Sequence, residues 1–125
     1  MSKTIINTEN APAAIGPYSQ AVRHGDTIYV SGQLPLNPET KQMDEDVSRQ
    51  TEQSMNNIKA ILQEAGVSME RVVRCGIFVT DLADFAAVNE VYATFFEGDY
   101  PARATVQVAA LPLGAKVEID AIAAV

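Results

Sequence analysis

Apolar and polar positions alternate along this chain with two different periods. Val47, Thr51, Met55, Ile58, Leu62 and Ala65 recur at the three- and four-residue spacing that puts side chains on one face of a helix. Asp46 can accept the free backbone N–H groups at its start, and Gly66 suits the left-handed turn past its end. The spacing predicts a helix over 47–65. A second helix, capped by Asp81 or Asp84, should run to about Phe96 with Phe85, Val88, Tyr92, Phe95 and Phe96 inward. Val72 to Thr80 is β-branched and reads as a strand between them. Lys3 to Asn7 is a short strand, and Ser19–Arg23 and Thr27–Ser31 form a hairpin about His24-Gly25-Asp26. Ala104–Leu111 and Lys116–Val125 close the chain as strands joined at Pro112-Leu113-Gly114. Asn10–Tyr18 and Leu34–Glu45, both interrupted by prolines, are loops.

Strands, helix, strand, helix, strands is the order of an α+β domain in which two helices cover one face of a mixed sheet. No repeat, low-complexity tract or linker divides the chain, so residues 1–125 are expected to form one domain. If the closing strands pair as an antiparallel hairpin, Val106, Val108, Val117, Ile119, Ala121 and Ala123 fill one face. The other carries Thr105, Gln107, Glu118 and Asp120, together with Ala109, Leu111 and Ile122. That second face is too apolar to be built for water, and two helices cannot cover both faces. Further subunits should therefore cover it, in a number the pattern does not specify.

With 125 residues, 47% of them apolar, the chain can bury a single core. Its apolar runs are far shorter than the roughly 20 residues of a bilayer span. Met1–Asn10 lacks the apolar stretch of a signal peptide, so a cytoplasmic location is expected. Cys75 is the only cysteine, which rules out an intramolecular disulfide and agrees with a reducing compartment. A net charge of −7 and a pI of about 4.5 argue against nucleic-acid partners and anionic membranes. One histidine and one cysteine cannot assemble an ordinary zinc or iron site. No phosphate loop or dinucleotide motif is present. Any chemistry should be cofactor-free, using arginine, carboxylate, hydroxyl, amide and backbone groups with water. His24 reads as a solvated turn residue rather than part of a triad.

Arg103 opens a strand built otherwise of small and apolar residues. Its planar, permanently charged fork suits a carboxylate, although on pattern alone a structural ion pair or a snorkelling edge residue is the more ordinary reading. In the hairpin register odd positions of one strand oppose even positions of the other. Thr105 then lies within a pair or two of Glu118, with Arg103 nearby. Glu118 could there activate water as a general base, or simply pair with Arg103 or Lys116. Asn89 sits at the edge of the second helix's apolar stripe and needs hydrogen-bond partners, structural or ligand. Tyr18 lies in a Gly-Pro loop. Ser31 precedes Gly32, where backbone can approach a ligand closely. Cys75 reads as a core thiol on the face of Val73, Ile77 and Val79.

Several segments together go further. Asn10-Ala-Pro-Ala-Ala-Ile-Gly-Pro-Tyr-Ser-Gln20, Ser31-Gly-Gln-Leu-Pro35 and Phe78-Val-Thr-Asp-Leu-Ala-Asp-Phe85 with Val88-Asn-Glu-Val-Tyr92 resemble motifs of the reactive intermediate deaminase (Rid, YjgF-like) family. So do Pro101-Ala-Arg-Ala-Thr-Val-Gln-Val108 and Val117-Glu-Ile-Asp-Ala-Ile-Ala123, in the same order across essentially the whole chain. The resemblance implies a chorismate-mutase-like fold and a homotrimer whose sheets form an inner barrel, with clefts that draw residues from two chains. It implies hydrolysis of 2-imino acids, such as 2-iminobutanoate and 2-iminopropanoate, to 2-keto acids and ammonia. Arg103 would then hold the substrate carboxylate and Glu118 orient water, while Tyr18, Ser31, Gly32 and Asn89 line the cleft. Two departures stand out: Thr105 replaces a cysteine common in the family, which rules out a thiolate there, and the segment between Phe96 and Tyr100 is slightly shorter. A non-catalytic trimer sensing 2-keto acids is the alternative. RNA cleavage, attributed to some relatives, is disfavoured by the acidic charge and by the lack of a histidine placed as general base.

Overall fold

The computed structural model describes residues 2–125. The first strands are β1 (Thr4–Ile6), β2 (Ala21–His24) and β3 (Thr27–Gln33); helix α1 (Val47–Glu64) follows. After it come β4 (Val72–Val79), α2 (Phe85–Ala93), β5 (Ala102–Gln107) and β6 (Val117–Ala124). The strands form one sheet in the order β1-β2-β3-β6-β4-β5, with β4 and β5 parallel and every other pair antiparallel. Among the described residues no helix is long and apolar enough to cross a membrane.

Helix α1 forms where its apolar stripe and cap place it. The Asp46 carboxylate accepts from the Arg49 N–H at 3.1 Å, and Gly66 adopts φ +82° just past the end. Met55, Ile58 and Leu62 lie wholly buried against the sheet, each stabilising the fold by roughly 1.5–3 kcal/mol. Buried polar side chains on the same helix tie down its surroundings. Gln50 accepts from the Lys116 N–H at 2.8 Å and donates to the Asp44 carbonyl at 2.7 Å, which fixes the start of β6. Asn57 donates to the carbonyls of Leu34 and Leu36 and pins the long connection after β3.

The second helix is shorter than its apolar spacing predicts. Asp81 caps a 3₁₀ turn at Leu82–Asp84 by accepting from the Ala83 N–H at 2.9 Å, and α2 begins only at Phe85. Phe95 and Phe96 lie beyond its end yet still pack against the core. A bulge between Val72 and Arg74 exposes Val73, so it does not share the buried face of Cys75.

The closing strands are not a hairpin. After α2 the chain returns as β5 parallel to β4 at the sheet edge, and β6 inserts between β3 and β4. The crossover through a helix favours parallel return, and a strand buried on one face and at least half-covered on the other, as β6 is, suits the sheet centre. The register changes with it. Cys75 pairs with both Arg103 and Ala121, and Ile77 with both Thr105 and Ile119. Phe78 pairs with both Val106 and Glu118. Arg103 and Thr105 therefore share the helix-covered face with Ile119, and Val106 shares the opposite face with Glu118. That opposite face carries Tyr29 and Val106, about half exposed at 50% and 45%, beside the partly buried Phe78 and Ile122.

Candidate functional site

The residues singled out by sequence divide into two groups on opposite faces of the sheet. One gathers around β3 and β6. The Ser31 hydroxyl donates to the Ser19 carbonyl at 2.6 Å, and the Ser31 N–H donates to the Gln20 carbonyl at 2.9 Å, anchoring the loop that carries Tyr18. Gln20 itself is buried and holds that loop from within. It accepts from the Thr8 N–H at 2.7 Å and donates to the carbonyls of Thr8 and Pro12. Tyr18 is 53% exposed. The Glu118 carboxylate lies across the Gly32 backbone, where a Cβ would force it to move. Burial first, and then the negative charge of Asp120, push the Glu118 carboxyl above the usual carboxylate range. Asp120 is held in turn by the Gly76 N–H at 2.8 Å.

The other group gathers around β5 and α2. Arg103, exposed on the edge strand, donates to the Asn89 side-chain carbonyl at 2.7 Å. Its guanidinium carbon stands 5.6 Å from the centre of the Phe85 ring and 5.1 Å from that of Tyr92. Phe85, Asn89 and Tyr92 are four and three residues apart, so one stripe of α2 presents all three. Thr105 lies two residues beyond Arg103 on the same face, and its hydroxyl is buried without a hydrogen-bond partner. Cys75, opposite Arg103, is a free core thiol pushed up chiefly by burial.

Arg103 and Glu118 do not meet within one chain. Two strand spacings and three residue steps separate them, roughly 14 Å between Cα atoms, and their side chains leave opposite faces. The hairpin register brought Thr105 beside Glu118; the intervening β4 removes that contact.

The chain matches the Ribonuc_L-PSP family, described as endoribonuclease L-PSP, over residues 8–125. It is 56% identical to protein DfrA of Myxococcus xanthus over 98% of this chain and 96% of that one. It is 52% identical to a 2-iminobutanoate/2-iminopropanoate deaminase of Escherichia coli, covering 98% of each. The chain belongs to the Rid family. The structure of E. coli TdcF with bound serine superposes with a TM-score of 0.95 at 46% identity, covering 98% of each chain.

Within this Rid-family chain, Phe85 and Tyr92 are the contacts of Arg103 that pattern reading missed. Both look like ordinary inward residues of an amphipathic helix, and only their spacing about Asn89 hints at more. The partners holding Arg103 are a neutral amide and two rings, so they leave its charge uncompensated. Asn89→Asp would supply a carboxylate of nearly the same shape. It should convert the contact into an ion pair, hold or raise thermal stability, and weaken binding of a 2-keto acid about tenfold or more. Calorimetric titration of wild type and variant checks this; equal affinities would show that the charge of Arg103 is not what a carboxylate meets.

Proposed function

We propose that this protein is a cofactor-independent deaminase that hydrolyses 2-imino acids to 2-keto acids and ammonia in the cytoplasm. It works in clefts between the subunits of a homotrimer whose sheets line an inner barrel. The observation that carries the reading is an exposed guanidinium held by uncharged groups, a geometry suited to receiving an anion rather than completing a structural ion pair. The E. coli relative named 2-iminobutanoate/2-iminopropanoate deaminase, and the relative solved with serine, support a small carboxylate bearing nitrogen as the ligand.

In this scheme Arg103 of one chain grips the carboxylate and presents the imine carbon to a water on Glu118 of the next. Glu118 takes a proton as the water oxygen bonds to carbon and the C=N electron pair moves to nitrogen. The proton taken by Glu118 is returned to that nitrogen, giving a neutral carbinolamine; transfer of the hydroxyl proton to the amino group, through the same carboxylate or water, then accompanies breaking of the C–N bond, so ammonia leaves and the ketone remains. The Thr105 hydroxyl, which has no partner among the described residues, can donate to the intermediate. Imines hydrolyse slowly in water unaided, so positioning and one general base suffice. The half-exposed Tyr29 and Val106 beside Glu118 favour coverage of that face by another copy.

The test is a coupled assay in which a threonine or serine dehydratase generates the enamine while semicarbazide competes for the imine. Wild type should speed keto-acid release. Arg103→Ala and Glu118→Gln chains, each severely impaired alone, should recover about a quarter of wild-type activity when refolded together in equal amounts. One cleft in four would then combine an intact arginine with a neighbour's intact glutamate. Absence of any recovery would refute the two-chain site. Keto-acid binding without catalysis by wild type would favour a sensor.

A further inference from the structure

We propose that Phe85 and Tyr92 are positioning residues: their rings form an aromatic cradle on α2 that fixes the Arg103 guanidinium while leaving its charge free for a ligand. The proposal rests on the reading of Arg103 as a carboxylate clamp. An arginine near the start of an exposed edge strand has many rotamers open to it, and a clamp that must find its geometry afresh for each ligand loses affinity. A carboxylate partner would fix the side chain but would also neutralise it. Ring faces attract the guanidinium through their quadrupole without adding a countercharge, and Asn89 supplies a neutral acceptor for one of the five donors. The remaining donors stay available for a planar, two-point contact with a carboxylate.

The two rings differ in a way that separates ring from hydroxyl. Tyr92 is 4% exposed, and its hydroxyl makes no hydrogen bond of ordinary geometry. Burial, with the Cys75 thiol beside it, pushes that hydroxyl well above the ordinary tyrosine range, so it stays neutral next to Arg103. A buried hydroxyl without a partner destabilises the fold, so its presence gives Arg103 nothing that the ring does not already supply. Phe85 approaches from the first turn of α2 and is 39% exposed, which makes it replaceable without opening the core.

The experiment uses the full chain and two readouts. One is the affinity for 2-ketobutyrate by calorimetry; the other is the side-chain guanidinium resonance of Arg103 in ¹⁵N NMR, which requires no catalysis. Tyr92→Phe should bind within about twofold of wild type, keep a sharp Arg103 resonance and unfold at the same or a higher temperature. Tyr92→Leu and Phe85→Leu should each weaken binding by roughly five- to tenfold and average the resonance. In the imine assay they should raise KM with little change in kcat, since the carboxylate contact is made in ground and transition states alike. If Tyr92→Phe loses as much as Tyr92→Leu, or if the leucine variants leave both readouts unchanged, the cradle is refuted. Should Tyr92→Leu fail to fold, Phe85→Leu decides. Wild type that binds no 2-keto acid would sink the clamp, while the resonance would still report whether the rings hold the arginine.

Discussion

Replacing Arg103 by alanine should lower kcat/KM for imine hydrolysis by about a hundred- to a thousandfold and leave the folded protein intact. The magnitude follows from losing the proposed charge-assisted, two-point contact to the substrate carboxylate, on the order of 3–4 kcal/mol of binding realised at the transition state. The fold should survive because the side chain lies outside the core. Its contacts are one amide and two ring faces, and their loss should move the unfolding midpoint by no more than about 3 °C. Arg103→Lys separates charge from shape. It keeps a cation but loses the planar fork, so activity should fall about tenfold rather than disappear. Steady-state kinetics alongside thermal melts of the three proteins make the comparison. If Arg103→Ala keeps activity within a few-fold of wild type, the substrate carboxylate binds elsewhere.

How much of this was legible in the sequence varies with the kind of information each feature needs. Helix α1 was readable nearly to the residue because its stripe, the Asp46 cap and Gly66 are all local. Strand β4 was readable because a β-branched run between two helices has few other options. The end of α2 was not, since Phe95 and Phe96 keep helical spacing while packing on the core from a turn. The largest error lay in strand pairing. Neighbouring strands in sequence invite a hairpin, yet nothing local records that β6 inserts between β3 and β4 and leaves β5 at the edge. Because side chains alternate, a change of pairing reassigns faces wholesale. It moved Arg103 and Thr105 to the helix side and left Glu118 on the other, beside Gly32. The candidate residues could thus be named from motifs, while their separation into two half-sites needed the sheet. The register also makes the single-chain hairpin site untenable, so any joint action of Arg103 and Glu118 requires a second chain.

The face on which Glu118 stands leads to the remaining prediction. Glu118→Gln should lower kcat for imine hydrolysis by about a hundredfold or more, the usual contribution of a positioned general base, with a smaller change in keto-acid affinity. In wild type the raised carboxyl pKa means that activity should fall as acid protonates Glu118, at a pH above that of an ordinary carboxylate. Asp120 contributes to this through its charge, after burial. Asp120→Asn should therefore shift the acid limb of the kcat/KM profile to lower pH while keeping most activity at neutrality. Stability should respond with the opposite sign to activity. A carboxyl whose folded pKa is raised binds its proton more tightly in the native state than in the unfolded chain. Its contribution to stability therefore declines as pH rises from the unfolded value of about 4.3 through the raised folded value. Glu118→Gln removes that liability, so it should be the more stable protein at neutral pH and about equal to wild type near pH 4. A variant that is catalytically crippled yet harder to unfold would mark Glu118 as held in its ionised form for function. Undiminished activity in Glu118→Gln, or an acid limb that ignores Asp120→Asn, would remove Glu118 from the mechanism and return it to a role in covering Gly32.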